Sequence, residues 1–378
     1  MNYENTPLRV LHITEMLSAA GIESFIMNMY RHIDRSKIQF DFLILRDQKE
    51  FYDDEIRSLG GRKYCVHSSK KNTLLRIWDE SKQIEEFLKK HKYHIVHIHY
   101  TTPLRAPYLL AAKRVGIPVR IYHAHSAVVS GKSKLKLLIY NYYRNKIEKW
   151  GTDWFACSQA AAEWIFPDKL LKSGNVKVVY NGIDTVRFQY SENKRNKIRN
   201  ELKLGESFTI IHTGRFIEQK NQMFILDIFK KLLVKCPDAK LLLLGTGDLL
   251  DKTKEHAATL NILENVQFLG VKSNVEEYLC AADCYIMPSL YEGLPVAAVE
   301  AQCAGLPCIL SKNITNEVNL GKKVSFVSLS APISEWCDKI LEYRNVTRMD
   351  GSRDVVACGY GIQYGAEKLQ KFYENKGK

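Results

Sequence analysis

The chain has no run of about 18 uninterrupted apolar residues, the length a membrane-crossing helix needs, so no transmembrane span is expected. Its first residues, Met-Asn-Tyr-Glu-Asn-Thr-Pro, lack a basic stretch followed by an apolar core, so no secretory leader is expected. There is no internal repeat or low-complexity tract, which argues against solenoid and fibrous designs. No Gly-x4-Gly-Lys phosphate loop occurs. The nine cysteines do not pair off, and Cys280 and Cys284 have one residue more between them than the commonest zinc spacing, with no second pair placed to complete a site. Reduced, buried thiols (Cys65, Cys157, Cys284, Cys308) in a cytosolic protein are the expectation.

What is present is an ordinary globular composition, 46% hydrophobic and 26% charged, over 378 residues. That length predicts two domains. A formal charge of +13 admits an anionic partner: nucleotide phosphates, an acidic membrane face or nucleic acid. No nucleic-acid-binding motif accompanies the charge.

Strand and helix patterns alternate along the whole chain. A strand at Leu8 to Thr14 is followed by a loop containing Gly21 and a helix from about Ile22 to Ile33, the layout of a phosphate-binding turn. Further strands are predicted at 40–45, 63–67, 95–99, 119–123, 154–157 and 176–180, with helices between several of them. Alternation of this kind means parallel sheets covered on both faces, with ligands beyond the carboxyl ends of the strands. Gly21, His97, His99, His123, His125 and Ser126 fall at those ends. The paired imidazoles of His97-Ile-His99 and His123-Ala-His125 suggest zinc, but no cysteine or carboxylate partners are grouped nearby. For His97 and His99, structural and functional roles both remain open.

Lys132 to Trp150 carries Lys132, Lys134, Lys136, Arg144, Lys146 and Lys149 against Glu148, interleaved with Leu135, Leu138, Ile139, Tyr142 and Tyr143. A basic, aromatic, amphipathic helix suits an anionic membrane surface; an ordinary solvated helix is the alternative. Tyr180-Asn181-Gly182-Ile183-Asp184 reads as the turn opening a second domain. There a strand (208–213) leads into Gly214-Arg215 and then Lys220 at the mouth of a helix, placing two cations where phosphates would sit. Gly245-Thr-Gly247 lacks the third glycine of a dinucleotide fingerprint and reads as a tight turn. A strand and turn end at Val271.

The segment Asp283 to Pro307 organises the rest. A short buried strand precedes Glu292-Gly293-Leu294-Pro295, then a helix that stops at Gly305 and Pro307. Pro295 is expected at the first helical position. Glu292 then lies in the loop at the helix's positive end, and Glu300 lies inside the helix among Val299, Ala301 and Ala304. Backbone N–H groups at that end attract anions, and Gly293 permits close approach. A carboxylate on so apolar a helix needs donors, and the hydroxyls of a sugar or ribose supply them.

These residues carry a resemblance. Glu292 and Glu300, with seven residues between them, resemble the Glu-x7-Glu signature of retaining glycosyltransferases of family 4, which have the GT-B fold: two Rossmann-like α/β domains with parallel sheets facing across a cleft. Gly214-Arg215 with Lys220 resembles that family's Gly-Arg-x4-Lys. Ala20-Gly21-Ile22-Glu23 stands where its members usually carry Gly-Gly-x-Glu. The helix from Phe25 to Asp34 and the His94-Ile-Val-His-Ile-His99 strand look like bacterial capsular or exopolysaccharide enzymes, with His94 where Asp is commoner.

The resemblance implies a sugar moved from a nucleotide diphosphate, UDP by expectation, to a glycan or polyprenyl-diphosphate-linked acceptor at the inner leaflet, with retained anomeric configuration. Arg215 and Lys220 would stabilise the leaving diphosphate. Glu300 would accept from the ribose diol and Glu292 from the sugar. His125 would lie beside the donor sugar, with His123 as reserve because the offset is ambiguous by two residues. Gly21, Gly214, Val271, Asn181, Gly293, Leu294 and Pro295 would line the substrate. Residues 1–180, with a terminal helix from about 360 to 378 crossing back, would form the acceptor side, and 181–359 the donor domain. Domain closure would exclude water. No cofactor and no metal is expected, since no Asp-x-Asp is present to hold a divalent ion on a diphosphate. A nucleotide-sugar 2-epimerase of the same architecture and a non-catalytic scaffold of an assembly complex are the alternatives. The first would need catalytic carboxylates in the first domain's loops, and the second is opposed by the intact Arg215, Lys220, Glu292 and Glu300.

Overall fold

The computed structural model describes residues 6–18, 21–46, 48–125 and 134–377. Its contacts divide the chain into two units: Met1–Gly182 with Ile362–Lys378, and Ile183–Gly361. Ala20, Ser126 and Lys132 lie outside the described residues.

The first unit contains β1 (Leu8–Thr14), β2 (Ile38–Ile44), β3 (Arg62–Cys65), β4 (Ile95–Tyr100), β5 (Val119–Ala124), β6 (Asp153–Ala156) and β7 (Val176–Val178). They form one sheet in the order β3-β2-β1-β4-β5-β6-β7. The second unit contains β8 (Thr209–Thr213), β9 (Lys240–Leu244), β10 (Val266–Gly270), β11 (Cys284–Met287), β12 (Cys308–Ser311) and β13 (Val324–Val327), in the order β10-β9-β8-β11-β12-β13. Every pairing between these strands is parallel. Both sheets are doubly wound, and in each the strand order reverses beside the first strand. The switch points therefore lie between β1 and β4, and between β8 and β11, and ligands bind beyond the carboxyl ends there.

The central strands read as apolar runs because both faces are covered. Leu241 to Leu244 of β9 and Cys284 to Met287 of β11 are all buried. The terminal helix Ile362–Lys376 belongs to the first unit. Leu369 and Tyr373 are buried there with Phe40 and Phe42. Asp34 N–H donates to Gln370 Oε1 at 2.8 Å.

Several expectations need correction. Pro295 is the N-cap of the helix Val296–Cys303, one position ahead of the expected first turn. Cys65, expected buried, is exposed at the end of edge strand β3, although no disulfide involves it or any other cysteine. Helices Gln159–Ile165, Asp168–Lys172, Leu250–Thr259 and Ser352–Ala357 were not anticipated.

The helix carrying Glu300 is pinned at its far end. Gly305 takes a left-handed φ of +72°, and a Cβ there would stand 1.7 Å from the Met349 carbonyl oxygen, so only glycine fits. The Arg348 guanidinium, partly buried and with no carboxylate partner among the described residues, donates to the Ala304 carbonyl at 2.7 and 2.9 Å and to the Cys280 and Leu279 carbonyls at 2.9 and 2.6 Å. It thus satisfies the orphan carbonyls of two helix C-termini, where a cation also complements the dipoles.

Candidate active site

In the second unit, β8 ends at Thr213 and the chain turns at Gly214. This turn is laced to the one after β9. Gly214 N–H donates to the Leu244 carbonyl at 3.0 Å, and Phe216 N–H to that of Thr246 at 2.9 Å. The backbones approach so closely that a Cβ on Gly245 would lie 2.0 Å from the Gly214 oxygen, and one on Gly247 2.5 Å from that of Phe216. The two glycines passed over as an incomplete fingerprint are thus the ones that set the Gly214–Phe216 turn.

Arg215 is exposed, and its side chain makes no hydrogen bond or ion pair among the described residues. Lys220 closes a single helical turn, Glu218–Lys220, ahead of the helix Gln222–Leu233. Its Nζ lies 2.6 Å from Glu292 Oε1, with both side chains largely covered. The Arg-Lys motif after β8 and the acidic loop after β11 therefore meet at the switch point. Two hydrogen bonds support the join: Leu290 N–H to the Gln219 carbonyl at 2.8 Å, and Gln219 Nε2 to the Tyr291 carbonyl at 2.9 Å. Beneath them His212 is buried and bonded to the Ile286 carbonyl at 2.9 Å. Burial pushes its pKa down to about 4, with the Lys220 charge adding to that effect, so it is neutral.

Glu300 is partly buried, and its carboxylate has no hydrogen-bond or ion-pair partner among the described residues. Burial pushes its pKa up to about 7, opposed by Arg187 and assisted by Glu276. Arg187 and Glu276 are themselves paired at 2.8 Å. Neither was singled out from sequence, since both come from segments remote from the Glu292 loop. Gly293 is exposed with open space where a Cβ would stand, Leu294 is partly exposed, Pro295 is buried, and Val271 is 74% exposed.

In the first unit, Gly21 is exposed at the start of the helix Gly21–His32, with nothing within 4 Å of a Cβ position. Glu23, two residues on, is 5% exposed. Burial first, then the like charges of Glu50 and Glu15, push its pKa up to about 7. His125 is partly exposed just beyond β5, and its Nε2 lies 2.9 Å from His99 Nδ1. His123 is fully buried inside β5 with its Nδ1 3.2 Å from His97 Nε2. Both have pKa values pushed down by burial, that of His125 to about 3. Asn181 is partly buried, and its Oδ1 has no partner among the described residues. Lys220, Glu292 and Gly214 are thus brought together in one unit, and His123 and His125 in the other.

Chemically, the second unit offers an unpaired guanidinium, an ammonium in a carboxylate's grip and an unpartnered carboxylate on the helix that follows the Glu292 loop. Such a set fits a ligand that is anionic at one end and rich in hydroxyls at the other.

Comparison with known proteins agrees. The family described as "Glycosyltransferase Family 4" matches residues 19–187, and "Glycosyl transferases group 1" matches residues 193–323. Bacillus subtilis (strain 168) EpsF, which carries the name of a glycosyltransferase, is 36% identical over 340 residues, covering 88% of this chain and 86% of that protein. An Escherichia coli protein named UDP-Gal:alpha-D-GlcNAc-diphosphoundecaprenol alpha-1,3-galactosyltransferase is 24% identical over 99% of this chain and 98% of its own. The crystal structure of Anabaena Alr3699/HepE in complex with UDP superposes with a TM-score of 0.77 over 97% of this chain and all of that one, at 14% identity. The last likeness establishes a shared GT-B fold.

The Glu300 shift gives a pH signature. A carboxyl whose pKa is raised on folding from 4.5 to about 7 favours the fold fully only below 4.5, and that contribution is lost as pH rises to 7. Glu300→Gln should therefore match the parent in urea unfolding near pH 4.5 and become the more stable of the two by pH 8. An unchanging difference across that range would contradict the assignment.

Proposed function

We propose, from the premise that this chain belongs to the family 4 (group 1) glycosyltransferases, that it moves a sugar from a nucleotide diphosphate, UDP in our reading, to a lipid-linked oligosaccharide in surface polysaccharide synthesis, with retention at the anomeric carbon. The observation that carries the reading is the Lys220–Glu292 pair beside the unpaired Arg215.

The second unit binds the donor. Arg215 grips one phosphate and Lys220 the other, acting where a metal ion would otherwise stand, so neither metal nor cofactor is needed. Before the donor arrives, Glu292 keeps Lys220 neutralised and in place. The incoming diphosphate takes over the ammonium, and the freed Glu292 accepts from the sugar hydroxyls. Glu300, raised to about 7 and unpartnered, accepts from the ribose diol, whose hydroxyls replace the water it lost on burial. Gly214 and Gly293 leave room at the backbone, and Leu294, Pro295 and Val271 pack against the nucleoside. As the sugar–phosphate bond breaks, negative charge grows on the diphosphate, and its attraction to Arg215 and Lys220 grows with it. His125, neutral, offers a polar contact to the sugar, and the acceptor hydroxyl attacks from the face the diphosphate leaves, its proton passing to the departing phosphate oxygen. Gly21 and Asn181 belong to the acceptor side. The acceptor class rests on the name of the E. coli relative.

Lys220→Ala should lower kcat/KM for donor by about 100- to 1,000-fold, the loss seen when one preorganised charge-stabilising donor is removed. Glu300→Gln should act mainly on KM. Transfer assays with a panel of nucleotide sugars test both, and parent-like turnover by Lys220→Ala would refute the assignment, as an inverted product anomer would refute retention. A donor converted to a new nucleotide sugar without acceptor would favour the epimerase.

The membrane-facing surface we assign to the helix Lys134–Trp150, which exposes Leu137, Leu138 and Tyr142 beside Lys136 and Lys149. No helix among the described residues is long and apolar enough to cross a membrane, so contact would be peripheral. The chain should sediment with phosphatidylglycerol vesicles and not with phosphatidylcholine ones, and Lys136→Glu with Lys149→Glu should abolish it. Equal recovery with both lipids would remove the surface from the account.

A further inference from the structure

One face of the first sheet carries His12 of β1, His97 and His99 of β4, His123 of β5 and His125 just beyond it. Parallel register sets His12 opposite His97 and His99 opposite His123, and residues two apart share a face. The rings layer on one another, with centroids 4.1 Å apart for His97 with His99 and for His123 with His125. Phe25 from the first helix packs against His123 and His125, and Tyr373 from the terminal helix against His97.

Two hydrogen-bonded chains run through this layer. In one, His12 Nδ1 meets His99 Nε2 at 2.9 Å, and His99 Nδ1 meets His125 Nε2 at 2.9 Å. In the other, the Tyr373 hydroxyl meets His97 Nδ1 at 2.6 Å, and His97 Nε2 meets His123 Nδ1 at 3.2 Å. Burial holds all of these imidazoles neutral.

A neutral imidazole has one N–H and one lone pair. Along a chain of them, the direction of one bond therefore fixes the direction of all the others. The first chain leaves His12 Nε2 and His125 Nδ1 without partners among the described residues. One of these ends must be a donor and the other an acceptor. Both end nitrogens are covered, but His12 is 1% exposed within the sheet, whereas His125 is a partly exposed residue just beyond it, nearer to any ligand. An orphaned N–H is the rarer defect in a sealed interior, so the lone pair falls to His12 and the N–H to His125.

We propose that His99, with His12 behind it, is a positioning residue that locks His125 in the Nδ1–H tautomer and leaves that N–H free to donate to a ligand oxygen. In the second chain a donor without a partner falls either on the Tyr373 hydroxyl or on the buried His123 Nε2, so this chain couples His97 and His123 to one shared tautomer without selecting it. A metal fits less well. Two nitrogens 2.9 Å apart subtend only about 90° at a zinc some 2.0–2.1 Å from each, well short of tetrahedral. Among the described residues no carboxylate bonds to the layer to offset a buried dication's charge.

This inference rests on His125 serving the transfer, and the experiment separates the two. Long-range 1H–15N correlation spectra of histidine-labelled protein, assigned with single variants, should place the proton on Nδ1 in His12, His99 and His125, and on one and the same ring nitrogen in His97 and His123. His99→Phe keeps the ring stacking and removes both bonds. It should lower kcat by about 10- to 100-fold, the usual loss when a histidine's orienting partner is removed, with donor KM within twofold and His125 no longer fixed as Nδ1–H. His12→Phe should do the same more weakly if His99→Phe fails to fold. Nε2–H for His125 in the parent protein, a parent-like kcat in His99→Phe, or a stoichiometric transition metal in the purified chain would each overturn the proposal. Parent-like turnover by His125→Ala, with the expected spectra intact, would instead defeat the functional reading of His125 and leave the tautomer chain standing.

Discussion

The Lys220–Glu292 ion pair is the contact on which the candidate site of the second unit depends. Its partners come from opposite sides of a chain reversal, one after β8 and one after β11, and they meet only because those strands are neighbours at the switch point of the second sheet. A largely covered pair of this kind is costly to form, and removing one partner strands the other charge. Much of the surrounding structure secures its geometry. Gly245 and Gly247 let the β9 turn press against Gly214 and Phe216, Gln219 ties its own loop to Leu290 and Tyr291, and Gly305 with Arg348 ends the helix that begins just after Glu292. In the proposed function the pair keeps an ammonium in place for phosphate, neutralised until a better anion arrives.

The first unit uses the opposite strategy. Where the second sheet brings full charges together, the first places neutral imidazoles against one another and seals most of them from water. Their pKa values are driven down by burial and not by any single partner. Polar groups so placed are tolerated because most of the ring nitrogens have a hydrogen-bond partner within the layer. One chain runs from buried His12 to partly exposed His125, and the other is anchored through Tyr373 to the terminal helix of the same unit.

Much of this was legible in the sequence because buried parallel strands are continuous apolar runs. The strand Leu8–Thr14 has the bounds its composition predicts, and those predicted at 119–123 and 208–213 fall within a residue of Val119–Ala124 and Thr209–Thr213. The helix Leu250–Thr259 escaped notice because Lys252, Lys254, Glu255 and His256 interrupt its apolar side, and only Thr253 and Ala257 are buried. Glu292 and Lys220 were each legible as candidates, but their contact was not, since 72 residues separate them. His12 gave no signal at all. A lone histidine in a strand is unremarkable until the pairing of β1 with β4 sets it beside His97 and His99. Arg187 and Glu276 were likewise silent, because their bearing on Glu300 exists only in the folded chain.

The central claim is that the second unit holds a nucleoside diphosphate on Arg215 and Lys220 without a metal's help. Isothermal titration of the full chain with UDP, in buffer containing EDTA, tests it most directly. The account predicts saturable uptake of one UDP per chain that is unchanged by added magnesium and weakened in Arg215→Ala. No uptake, or uptake only once magnesium is supplied, would contradict it.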